Sequence, residues 1–339
     1  MFGNYVRYSK SLAVVLLAGI VPLSAYADAA LQRVRSSFDI QQAYCAIKTN
    51  DVTGFDNRKT AWRGRGGGTS STNSLLMMEN GENEISLEIG ALGWFSDRPL
   101  TTEERARFDP QSACSLELVR FKGQKKQTLS SIKVTIGPQG IPEAQPGSGS
   151  KDAVIGTKIL AEQVVAGHIA DNYFNKNFFP QGMYVYRFTW KVRMQGIPDW
   201  AWVNAESFTG SDEQIRKLKT AYSEMADIIS TGDRKRLKAY EKTALAAWSL
   251  TTGDSEDEIL LSRYPKNELE GRKAKMIPIK WERYSIRVMN KGRMVQMYNK
   301  SKPTYSPLTY KYIDEDGHAL MGYYAPIFSL INGRFVPVI

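Results

Sequence analysis

The sequence predicts an α+β protein, mostly antiparallel β, in which an N-terminal β-sandwich-like lobe is followed by a lobe of helices and a curved meander. Three observations carry that expectation. Short strand-prone runs punctuated by Asn-Gly, Asp-Gly and Lys-Gly dipeptides recur toward both ends of the chain. A Gly-, Pro- and Ser-rich stretch at 137–151 separates them. Between the two strand-rich parts, Ser211–Ile229 has a clear helical period.

The first 27 residues are built like a secretory signal: Arg7 and Lys10, the apolar run Ser11–Leu23, then a small-x-small site at Ala25-Tyr26-Ala27. The apolar run has 13 residues, whereas a bilayer span needs roughly 20. Cleavage before Asp28 is therefore expected, giving a soluble periplasmic chain with no transmembrane segment and no cysteine placed to carry a lipid anchor. Losing Arg7 and Lys10 lowers the formal charge from +10 to +8. In that compartment a basic chain meets an acidic protein or an anionic envelope component, and nucleic acid is not an expected partner. Solubility alone accounts for the charge equally well. Two cysteines, Cys45 and Cys114, are expected to form one disulfide; a reactive thiol is the competing reading, disfavoured by their apolar surroundings.

Taken in order, 28–136 reads as the sandwich. Ser74–Glu79 and Glu84–Phe95 are expected to pair across Asn80-Gly81. Ser115–Phe121 and Leu129–Ile136 follow as two more strands. The stretch 137–151 reads as a linker, and 152–339 as the α+β domain. It opens with a helix over Asp152–Phe174, followed by a strand over Met183–Met194 and a short extended run with Trp200 and Trp202 on one face. Ile215, Leu218, Tyr222, Met225 and Ile229 then recur at spacings of three and four, Ser211 and Gln214 fit a capping box, and Gly232 stops the helix. Asp233 caps a second helix carrying Leu237, Tyr240, Ala244 and Trp248, so 211–248 reads as an αα-hairpin. A meander of about five strands fills 276–338, turning at Lys291-Gly292, Asp316-Gly317 and Asn332-Gly333. Helices followed by such a meander over Thr209–Ile339 resemble the nuclear-transport-factor-2-like architecture, a cone of curved sheet closed by helices. That resemblance implies a fold and no activity.

Catalytic signatures are scarce. The two histidines, His168 and His318, have no second ligand at zinc spacing. Gly147-Ser148-Gly149-Ser150 sits in the linker, where no strand-to-helix turn can strain a nucleophile. Asp314-Glu315-Asp316-Gly317 reads as a hairpin turn and lacks the downstream glutamate of a calcium loop. Arg63-Gly64-Arg65-Gly66 superficially resembles a phosphate cradle, but no Lys-Ser/Thr pair or helix follows it. With Arg58, it fits an exposed basic tip. Trp94, Phe95, Trp200 and Trp202 fit either core packing or a stacking platform for sugars. No catalytic residue, metal site or cofactor is assigned. The candidate partner-binding residues are Arg58, Arg63 and Arg65 on the tip and Arg234, Lys235 and Lys238 on the αα-hairpin. The leading functional expectation is a non-catalytic periplasmic binding protein, in its sharpest form an immunity-type inhibitor of an acidic secreted toxin. The alternatives are an envelope glycan-acting enzyme using a carboxylate pair such as Asp199 with Glu206, or an envelope structural or assembly factor.

Overall fold

The computed structural model describes residues 32–123, 125–147, 154–165, 178–269, 274–314 and 316–339. The signal segment and His168 lie outside them. The chain is mostly antiparallel β with helices concentrated in one stretch, as the composition of its strand and turn signals implies.

Two five-stranded sheets form the first lobe. One runs β4-β1-β6-β7-β8, where β1 is Gln32–Gln41, β4 Gly68–Asn73, β6 Ala113–Lys122, β7 Lys125–Ile136 and β8 Pro142–Pro146. The other runs β3-β2-β5-β10-β9, where β2 is Ala43–Thr49, β3 Val52–Asp56, β5 Gly81–Ala91, β9 Ile155–Leu160 and β10 Tyr184–Met194. Their facing sides interdigitate Val34, Leu116, Leu118, Ile132, Ile47 and Leu87 in one buried core. The Cys45–Cys114 disulfide crosses between them, from β2 to β6, with Cα atoms 6.5 Å apart. Trp190 on β10 adds a polar tie, donating its indole N–H to Ser130 Oγ on β7 at 2.9 Å.

Several local expectations are corrected here. The 137–151 stretch is not a free linker, because β8 within it pairs with β7. Ile155–Leu160 is a strand and not a helix, while 166–174 lies outside the described residues. Ile155 and Ile159 are four apart, an even number, so they share a face of a strand as readily as a face of a helix. β9 and β10 both join the second sheet of the first lobe, so that lobe draws on the chain well past 151. No hairpin spans Asn80-Gly81. Leu75–Met77 is a buried 3-10 turn, fixed because the Trp200 indole donates to the carbonyls of Leu75 and Met78 and the Trp202 indole to that of Leu76. Asn80 instead clamps Ile197, accepting its N–H at 2.9 Å and donating to its carbonyl at 2.8 Å.

The helical stretch supplies α3 (Asp212–Thr231), α4 (Arg234–Tyr240), α5 (Lys242–Thr252) and α6 (Glu256–Arg263), after the two short helices α1 (Arg58–Trp62) and α2 (Thr102–Arg105) of the first lobe. Ser211 Oγ accepts from Gln214 N–H, but the Gln214 side chain turns to Thr209 and Ser207, so only half a capping box forms. Gly232 takes φ = 67°, the left-handed cap that a side chain would strain, and Asp233 accepts from Arg236 N–H. The expected second helix breaks at Glu241 into α4 and α5. The meander is also corrected: it divides into two sheets. β12 (Tyr284–Met289), β13 (Met294–Asn299), β16 (Phe328–Ile331) and β17 (Arg334–Pro337) form one, and β11 (Lys275–Met276), β14 (Leu308–Ile313) and β15 (Ala319–Tyr324) the other. The three turns expected at 291–292, 316–317 and 332–333 join β12 to β13, β14 to β15 and β16 to β17. The apolar stripe of α3, including Leu218, Tyr222 and Met225, packs into the core these sheets share with Met297, Leu308 and Phe328. No helix among the described residues is long and apolar enough to cross a membrane.

Candidate functional site

A cleft of about 690 Å3 opens between the lobes. Its floor is the outer face of the β3-β2-β5-β10-β9 sheet, the side turned away from the disulfide. Strand register sets the floor in rows. Tyr44, Gly90, Val185 and Ile159 form one, Asp56, Ala46, Glu88, Arg187 and Thr157 the next, and Thr53, Lys48, Ser86, Thr189 and Ile155 the third. Adjacent strands lie about 4.8 Å apart, so facing charges on neighbouring strands can meet directly. The roof comes from the second lobe, with Arg287, Val288 and Met289 of β12, Gln296, Pro303 and Tyr323.

Glu88, whose side chain is only 7% exposed, organises the floor. Arg187 donates Nε and Nη2 to Glu88 Oε1 at 2.9 and 2.7 Å, and Lys48 Nζ reaches the same oxygen at 2.8 Å. Arg187 also lies 3.9 Å from Asp51, on the exposed rim. Across the cleft mouth, Arg287 Nη2 donates to both Glu162 oxygens at 2.7 and 2.8 Å, tying β12 to the segment after β9. Burial, then the carboxylates of Asp56 and Glu88, push the Tyr44 phenol well above its ordinary range, so it stays neutral beside them. Charged groups held this way present fixed positive and negative points to a ligand.

The structure divides the basic residues expected to bind a partner. Arg58 is not on an exposed tip: it is buried in α1, lines the cleft, and stacks over Phe178 at 4.3 Å and Phe179 at 5.3 Å from the ring centroids. Asn57 anchors α1 beneath it, accepting from Cys45 N–H and donating to the Ala43 carbonyl. Arg63 and Arg65 are exposed at the end of the same helix. Arg234 donates to the Tyr264 carbonyl at 2.7 Å, Lys238 pairs with Asp257 at 2.7 Å, and Lys235 is exposed. The tip and the αα-hairpin therefore supply separate cations, some already engaged within the chain, and only Arg58 lines the cleft.

Other candidates resolve simply. Trp94, Phe95, Trp200 and Trp202 are core residues and not a platform. His318 lies on the exposed β14–β15 turn, where Asp314 Oδ1 accepts its N–H and that of Asp316. Asp199 and Glu206 are exposed and do not line the cleft. Lys48, Glu88, Arg187 and Arg287 were missed by sequence reasoning. Their one visible signal is charge inside strand-prone runs.

Comparisons with protein-family models, with curated proteins and with solved structures return no match to this chain. The nuclear-transport-factor-2-like resemblance of Thr209–Ile339 gains no support from them.

Proposed function

We propose that this chain is a non-catalytic binding protein of the cell envelope that works through the inter-lobe cleft. The observation that carries the reading is the charged floor, where one buried carboxylate is shared by two cations on separate strands. A carboxylate held by cations on two neighbouring strands at 2.7 to 2.9 Å presents fixed, oriented charge to whatever enters the cleft. A signal-like N-terminal segment, the Cys45–Cys114 disulfide and a basic sequence support an envelope location. A protein partner fits a strand-floored, charge-lined cleft between two lobes, and an acidic secreted toxin is the sharpest form of that partner.

Photocrosslinking in intact cells tests the proposal. A photoreactive side chain at Val288 or Tyr323 should yield a discrete adduct, whereas one at Arg63 or Lys235 should not. Adducts only at the latter positions, or at none, would overturn the cleft as the binding site.

A further inference from the structure

The β12 edge of the cleft offers main-chain groups as well as charge. Met297 donates its main-chain N–H to the Tyr222 hydroxyl at 2.8 Å, so Ile286 and Met297, which face each other across β12 and β13, form a non-hydrogen-bonded pair. Antiparallel pairs alternate, and Val288 with Val295, two residues along, is therefore another. Val295 accordingly turns the other way, to bridge Phe328 on β16. The N–H and C=O of Val288 point away from β13, toward the free edge of the sheet. Asn290, next in the same phase, donates its N–H to the Asn50 carbonyl of the first lobe at 2.9 Å. Among the described residues, Val288 has no such main-chain partner. Its side chain is 48% exposed and it lines the cleft. An edge strand with outward main-chain groups pairs with an added extended segment.

The charges specify what that segment carries. Arg287 is matched by Glu162, and Asp51 lies at the exposed rim. Over the whole lining the charges balance, Lys48, Arg58, Arg187 and Arg287 against Asp51, Asp56, Glu88 and Glu162, but they are not equally well paired. Arg58 is the least satisfied of them: its guanidinium is 3.7 Å from Asp56, and among the described residues its Nε has no hydrogen-bond partner. An acidic group is the missing complement.

We infer that the cleft takes an extended, acidic segment of a partner protein, which adds as a strand to β12 at Val288 and sets a carboxylate against Arg58 and the Lys48–Arg187 side of the floor. The inference rests on the cleft being the binding site proposed above. A free inorganic anion would use the cations but leave the β12 edge unpaired.

The test uses a phage-displayed library of random dodecapeptides panned on the mature chain, with inorganic phosphate as a competitor. Enriched peptides should carry Asp or Glu within alternating apolar residues. Replacing that acid by its amide should weaken a synthetic peptide at least tenfold, the scale of one charge-assisted hydrogen bond. N-methylation of the alternate amides should do the same without any change to the protein. Val288→Pro removes only the outward N–H and should mimic it, because the ladder to β13 does not use that group. Peptides that are lost in Arg187→Glu yet ignore N-methylation and the acid-to-amide change would overturn the inference while leaving a binding cleft. Peptides displaced fully by phosphate would overturn it in favour of a simple anion site. Failure to enrich any peptide sensitive to Arg187→Glu would overturn both.

Discussion

Glu79 and Glu241 are both buried, and their surroundings drive them in opposite directions. Glu79 sits between the lobes, receiving Arg293 Nη1 and Nη2 at 2.8 and 2.6 Å and Lys291 Nζ at 2.7 Å. Those hydrogen bonds, Arg293 foremost, hold its carboxyl below the usual range against the opposing effect of burial. Its contribution is therefore full above the unfolded value near 4.3 and lost as pH falls through the folded value. Glu79→Gln should cost about 3 kcal/mol at neutral pH, a gap that closes in acid when unfolding free energy is measured against pH. Glu241, where α4 breaks into α5, accepts from the Tyr264 hydroxyl at 2.9 Å but lies 3.7 Å from Arg263, too far for a hydrogen bond. Burial raises its carboxyl above the usual range. That contribution is favourable below the unfolded value and is lost as pH rises through the folded one. Glu241→Gln should therefore stabilise the protein by about 1 kcal/mol at neutral pH and by less in acid. A variant less stable at neutral pH would show that the Arg263 attraction outweighs the cost of burial.

Turn chemistry was the most legible feature of the elements, because Gly and Asn at positive φ leave few alternatives. Asn290, Lys291 and Asn332 all take positive φ at the turns expected there. The same chemistry misled at Asn80-Gly81, where Gly81 also has positive φ but Leu75 to Met78 are buried on every side. Buried apolar runs of that length do not declare helix, strand or turn by period. What decides this one is two indoles from more than a hundred residues away, a long-range partner that local patterning does not encode. Trp202→Phe removes the donor to Leu76 and should cost about 1 kcal/mol in chemical denaturation while keeping the sandwich intact. Between the sheets, the Cys45–Cys114 bond closes 69 residues. Reducing it should lower stability by roughly 4 kcal/mol, and free thiols in protein purified under oxidising conditions would contradict the bond.

The cleft exists only at the scale of the whole molecule, which is why sequence reasoning reached one of its cations, Arg58, and missed its floor. Lys48, Glu88 and Arg187 stand on three strands distant in sequence and become neighbours only through register. Arg58 was visible as a basic residue, but its burial depends on Phe178 and Phe179 arriving from far along the chain. The ties that hold the lobes around the cleft include the Glu79 cluster, Asn290 to Asn50, and Arg287 to Glu162. A double-mutant cycle of Glu162→Gln with Arg287→Met should give a coupling of about 1 kcal/mol, since both side chains remain partly exposed. Arg63→Glu with Arg65→Glu should leave the melting temperature unchanged, as those side chains are exposed.

The route of the chain through the first lobe also imposes an order of assembly. A chain emerging N-terminus first presents both cysteines before β9 and β10 exist, and the bond can join β2 to β6 while β5 still lacks its outer neighbour. Until Met194 has emerged, Glu88 has no Arg187, and Ser130 has no indole donor from Trp190. A fragment ending at 151 would carry the complete covalent staple and an open, apolar sheet edge at β5. It should self-associate, whereas one reaching Val203 closes that edge and delivers both tryptophans to the Leu75 turn. The smallest piece of this chain that can live alone is therefore longer than its glycine- and proline-rich stretch suggests.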